Sequence, residues 1–179
     1  MMRALGPGSV SSLLKLVLDV ISFALWAALA ALIVIAFIAL LLPVDLGLWR
    51  KVVADEAALG ALQARGPVLA AGLLAFAVYL GVVQYIVQRL RHIFATLTAG
   101  DPFRPDNVKR LRAIGFGLAG LELINYATPM LSNWAFRSQI REAHWSVNLT
   151  AWFAVLVVFV LAEVFREGAR LRSEAELTI

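Results

Sequence analysis

Four stretches of the chain are apolar for long enough to cross a bilayer, and the polar residues gather between them. The first, Val20 to Leu42, has 23 residues and no charge. As a helix it measures about 35 Å against a hydrocarbon core of about 30 Å, so it can span with some tilt. It is too long for the apolar stretch of a cleaved leader and reads as a retained anchor. The second run, Val68 to Val87, holds Gln84 as its one strongly polar residue. Its helical pattern continues through Gln88 to Ala99, where Gly100 stops it. The third, Ile114 to Leu131, carries Glu122, Asn125, Thr128 and Pro129, yet follows a basic boundary and is predicted to span. The fourth, Val147 to Phe165, has Asn148 and Thr150 near its start and Glu163 near its end, where side chains can reach headgroups.

The pattern predicts an all-α protein: a single domain over 1–179, an integral membrane four-helix bundle with helix extensions into the cytoplasm. Between the first two runs, Pro43 to Pro67 reads as an outer connection in which Trp49, Val52 and Val53 rest on the interface as a short helix. In the third connection, Trp134, Phe136 and Trp145, with Trp152 beyond it, suit an aromatic belt.

Lysine and arginine set the orientation. Arg3, Lys15, Arg89, Arg91, Arg104, Lys109, Arg110, Arg112, Arg166, Arg170 and Arg172 fall on one side, eleven in all. Arg50, Lys51, Arg65, Arg137 and Arg141, five in all, fall on the other. That bias places both termini in the cytoplasm. It also accounts for much of the net charge of +4, whose first meaning is topology and attraction to anionic lipid rather than direct binding of nucleic acid.

Composition narrows the function. In 179 residues, 61% of them hydrophobic and with no cysteine, there is little chain left for a soluble catalytic domain, a thiolate nucleophile or a disulfide. His92 and His144 fall on opposite sides of the predicted membrane, which argues against a metal centre. Ser146 near His144 lacks an orienting carboxylate other than Glu142 on a short loop, and phosphate-loop, zinc-protease and hydrolase motifs are missing. No catalytic residue, cofactor or metal is therefore predicted, and Asn148-Leu149-Thr150 carries no weight as a glycosylation acceptor.

Glu122 is the sharpest single residue, because a carboxylate at mid-membrane costs about 2.5–3.5 kcal/mol to insert. Gly115, Ala119, Glu122, Tyr126 and Pro129 follow helical spacing with Asn125 beside them, so one small or polar stripe must face the bundle. Glu122 and Asn125 could serve a proton or ion relay. A hydrogen bond from Glu122 to Gln84, Tyr79 or Tyr85 is the favoured alternative, since one carboxylate without a second acid or a basic partner is thin equipment for transport.

Two further clusters lie on the basic side. The stretch Gly100 to Gly115 reads as a sharp turn in which Gly100 caps the second helix, Pro102 prevents its continuation, Phe103 is an apolar plug between helix ends, and Pro105 with Asp106 starts the third helix. In the tail, Leu161, Val164, Phe165, Gly168, Leu171 and Ala175 share one helical face, and Arg170 can pair with Glu167 and Glu174. Leu177 and Ile179 at the extreme end should dock on something, either the 89–98 extension of the second helix or a soluble partner.

The stretches GDPFRPDNVKRLRAIG, Gly100 to Gly115, and LAEVFREGARLRSEAELTI, Leu161 to Ile179, resemble a bacterial family of membrane proteins of unknown function, the YoaS-like proteins. The resemblance implies a four-helix inner-membrane protein frequently encoded beside a small helix-turn-helix regulator, and it carries over no catalytic residue. With the concentrated cytoplasmic surface, it leads to the expectation of a non-enzymatic protein that sequesters such a regulator. Phe103, Asn107, Arg110, Arg112, Phe165, Arg166, Leu177 and Ile179 are its candidate contacts. A small transporter or ion-conducting oligomer built on Glu122 is the alternative, and binding of anionic lipid by the basic turn a third. Small residues such as Ala24 and Ala28 permit close helix contacts within one chain or between chains.

Overall fold

The computed structural model describes residues 10–44, 49, 53, 55–136 and 147–177. Among them are four long helices and no strand: α1 (Val10–Leu41), α2 (Glu56–Thr98), α3 (Pro105–Phe136) and α4 (Leu149–Glu176). Three, over Leu13–Leu41, Glu56–Thr98 and Leu149–Ala175, are long and apolar enough to cross a membrane. Helix α3 matches them in length, with 32 residues, but Glu122, Asn125 and Thr128 lower its hydropathy. The expected third span thus exists as a helix and lacks the composition of the other three.

Helices α2 and α3 extend their apolar runs at both ends, α1 at its start and α4 at its end. Helix α2 starts well before Val68: Asp55 Oδ1 caps it, accepting from the backbone N–H of Ala57 at 2.9 Å and of Ala58 at 3.4 Å. It then runs through Pro67, which the pattern predicts as its boundary. Gly66 makes this tolerable, since a residue without Cβ relieves the crowding that proline imposes on its predecessor. Trp49 and Val53 are described and joined by a backbone hydrogen bond of 2.8 Å, whereas Val52 lies outside the described residues. At its far end α2 stops at Gly100, whose φ of 79° is the left-handed conformation that a β-carbon disfavours.

The chain divides into two compact units. One is Phe23–Gly81, where α1 and the first half of α2 meet closely: a β-carbon on Gly66 would lie 2.6 Å from the Ala39 carbonyl oxygen. The other comprises Met1–Ser22 and Val82–Ile179. Its core follows helical periodicity on three faces: Val82, Ile86, Leu90, Ile93 and Leu97 of α2, Leu111, Ile114, Leu118 and Leu121 of α3, and Val158, Ala162 and Phe165 of α4. Small residues set the spacing, with Gly117 against Ile86 and Gly115 against the ring of Phe159.

Large apolar side chains cover the outside. Phe23, Phe37, Val78, Phe116, Phe153 and Val160 are each at least 60% exposed. A water-soluble monomer rarely displays apolar surface on this scale, and its natural solvent is hydrocarbon.

Candidate functional site

The turn between α2 and α3 is organised by Asn107, which has no exposed surface. Its Nδ2 donates to Thr96 Oγ1 at 2.6 Å and to the Pro102 carbonyl at 2.9 Å. Its Oδ1 accepts from Arg110 Nη1 at 2.9 Å. Thr96 in turn donates to the Ile93 carbonyl, and its own carbonyl accepts from the Asp101 N–H. One amide thereby ties the last turn of α2 to the first turn of α3, and both Asn107 and Arg110 serve the turn.

That turn is braced on α4. Phe103 meets Phe165 with ring centroids 5.5 Å apart and lies over the backbone of Gly168. Asp101 forms ion pairs with Arg104, at 3.2 Å, and with Arg172. The predicted plug between helix ends is therefore formed, although its ring stays 38% exposed. The brace borders a shallow pocket of about 260 Å³ lined by Asp101, Phe103, Arg104, Pro105, Ala169 and Arg172.

Helix α4 runs past the apolar stretch to Glu176, with Arg170 paired to Glu167 at 2.8 Å and to Glu174 at 3.3 Å, as the spacing predicts. Glu163 holds Arg166 and, at 3.7 Å, Arg112 from α3. The apolar face is rotated from the predicted one. The inward stripe is Val155, Val158, Ala162, Phe165 and Ala169, so Leu161, Val164 and Leu171 point outward. Their neighbours Ala162 and Ala169 are small enough to let α4 pack closely, and close packing decides which side turns inward.

Of the predicted contact residues, the structure brings together Phe103, Phe165, Asn107 and Arg110 at the turn, and Arg112 and Arg166 around Glu163. Leu177 is 87% exposed and docks on no part of the described chain. Ile179 lies outside the described residues, as do Arg137, Arg141, Glu142, His144, Trp145 and Ser146; the side chains of Trp134 and Phe136 are likewise not described.

Glu122 is buried, with 6% exposure, in the inward stripe with Gly115, while Asn125 is exposed. Its predicted partners are engaged elsewhere: Gln84 donates to Ser22 at 2.8 Å, the Tyr85 hydroxyl accepts from Arg89 at 3.2 Å, and Tyr79 stacks on Phe76. Tyr126 instead joins α3 to α4, its hydroxyl accepting from the Asn148 N–H at 3.1 Å and from Trp152 Nε1 at 3.3 Å. Asn148 caps α4 through a bond from the Ala151 N–H.

The pattern of the sequence did not single out a polar link between α1 and α2. Ser22, 1% exposed, accepts from Gln84 Nε2 and, at 3.0 Å, from Arg91 Nη1, while Arg91 Nε binds Asp19 Oδ1 at 2.5 Å. Gln84 Oε1 is buried without a partner. The signal was present in the i, i+4, i+7 spacing of Gln84, Gln88 and Arg91 and the i, i+3 spacing of Asp19 and Ser22.

A family model described as a protein of unknown function, DUF2975, matches residues 20–179. The match covers nearly all of the chain, so the chain belongs to that family. No curated protein and no solved structure matches it.

Proposed function

We propose that this DUF2975 family member is a non-enzymatic, multi-pass protein of the bacterial inner membrane. Both termini lie in the cytoplasm, and its cytoplasmic face holds a soluble partner, a small helix-turn-helix transcription regulator. Three bilayer-length apolar helices, with the 32-residue α3 taken as the fourth crossing that returns the chain to the same side, and the lysine and arginine bias support the placement. The resemblance of the turn and tail to a family encoded beside such regulators suggests the partner.

The observation that carries the docking role is Leu177. It stands 87% exposed at the end of a helix whose base is fixed by the Phe103–Phe165 contact, with Leu171, 55% exposed, on the same helix. Apolar side chains beyond the last membrane-facing turn are covered by a partner more readily than by water. Arg166 and Arg170 on the same helix, with Arg104 beside Arg172 in the turn pocket, supply the polar rim of such a surface. Retention at the membrane would remove regulator from DNA, and a change in helix packing would alter the docking surface.

The test is affinity purification of the tagged full chain in mild detergent, with co-purifying proteins identified by mass spectrometry. A helix-turn-helix protein retained by wild type and lost from Leu177→Asp, and from a chain lacking the last three residues, is the expected result. Membrane insertion, checked by carbonate extraction, should be unchanged. Equal retention by both variants would overturn the assignment. Phe103→Asp should also lose the partner.

A second reading rests on Glu122, a buried carboxylate for which no described residue provides a hydrogen bond or ion pair. In that reading Glu122 and Asn125 line a proton or ion path through a small transporter or oligomer.

A further inference from the structure

Two apolar runs end at the same level. The long apolar stretch of α1 begins at Val20, directly after Asp19, and that of α2 ends at Val87, directly before Gln88. The bonds from Gln84 to Ser22 and from Arg91 to Asp19 bring those two ends side by side. A half-open pocket of about 480 Å³ lies there, lined by Lys15, Asp19, Gln88, Arg91, His92 and Ala95. Its position is the boundary between hydrocarbon and water, where phospholipid headgroups reside.

The lining suits one class of ligand. Lys15 and Arg91 bring two positive charges, and His92 a ring N–H donor, against the single carboxylate of Asp19. Asp19 already holds Arg91 Nε, which fixes the guanidinium, while Lys15 and His92 lie exposed at the rim. Asp19 and the Gln88 amide can accept from hydroxyl groups. A phosphate with a hydroxylated substituent complements this set: the phosphate oxygens face Lys15, Arg91 and His92, and the hydroxyls face Asp19 and Gln88.

We propose that this pocket binds the phosphate-bearing headgroup of an anionic phospholipid such as phosphatidylglycerol. The site rests on the placement of the chain in a membrane and is independent of the docking of any protein partner. It is separate from the basic turn at Arg104 to Arg112.

The test reconstitutes the full chain in nanodiscs of phosphatidylcholine doped with phosphatidylglycerol and measures lipid retained after extraction by native mass spectrometry. Retention should fall about fivefold in Lys15→Gln, hold in Lys15→Arg, and hold in Arg104→Gln. Equal losses in Lys15→Gln and Arg104→Gln would mean diffuse attraction to basic charge and would overturn the site, as would no loss in Lys15→Gln. Competition separates the sources of phosphate. Millimolar inorganic phosphate and glycerol 3-phosphate should leave the bound lipid in place, and displacement by either would overturn the lipid assignment in favour of a soluble phosphate. Failure of the chain to enter nanodiscs at all would overturn the membrane placement and the site with it.

Discussion

The ring of Phe103 lies so close over Gly168 that a β-carbon on the glycine would stand 2.6 Å from Phe103 Cδ1. This contact joins the α2–α3 turn to α4 and explains a glycine in the middle of a helix, where it is intrinsically unfavourable by about 1 kcal/mol. Gly168→Ala should lower stability in the wild type, because displacing the ring costs about 1–3 kcal/mol and exceeds the gain in helix propensity. In a Phe103→Ala background the same change should raise stability by about 1 kcal/mol. Melting temperatures of the four chains in detergent check this reversal of sign, and an equal effect in both backgrounds would sink the contact.

Asn107 leaves the turn no substitute. Asn107→Ala strands the Pro102 carbonyl and part of the Thr96 and Arg110 bonding, for an expected loss of about 1–3 kcal/mol. Asn107→Asp should be worse, since a carboxylate cannot donate to either acceptor. Thermal unfolding should rank wild type above alanine and alanine above aspartate.

Ser22 and Gln84 should respond unequally. Ser22→Ala removes the acceptor shared by Gln84 and Arg91 and leaves the buried amide unpaired at both ends, a loss of about 1–2 kcal/mol. Gln84→Leu removes the unpartnered Oε1 along with the donor, while Arg91 still serves Ser22, so its melting temperature should stay near wild type. A larger loss in Gln84→Leu than in Ser22→Ala would show that the amide has a partner of its own.

Glu122→Gln separates the two functional readings. For a docking protein, proteoliposomes of wild type and variant should show the same background proton and cation flux, and the partner should be retained by both. A wild-type flux abolished by Glu122→Gln, with melting temperature unchanged, would establish the transport reading in its place.

The turn and the tail were the most legible parts of the site because their signals are local. Gly100, Pro102 and Pro105 restrict the backbone wherever they occur, and the Arg170 pairs follow from helical spacing alone. The burial of Asn107 was hidden, since an asparagine two residues after a proline looks the same in sequence whether it points to water or ties two helices together. The rotation of α4 was hidden for a related reason. Most of its residues around Val155 to Val164 are apolar, so hydrophobicity does not distinguish the inward side, and only contact with α2 and α3 does.

The sequence by itself determined that the chain is helical and where long apolar segments run, because backbone satisfaction in hydrocarbon leaves few alternatives to a helix. It determined the turn at Gly100 and the uneven distribution of positive charge, which are properties of short stretches. Tertiary structure decided what depends on residues far apart: Gln84 meeting Ser22 instead of Glu122, Arg91 meeting Asp19 beside an open pocket, Phe103 settling on Gly168, and Leu177 left uncovered. Each of these is a choice among partners of similar chemistry. Such choices are made by the rotation and depth of helices packed against one another, which the identity of each residue alone does not encode.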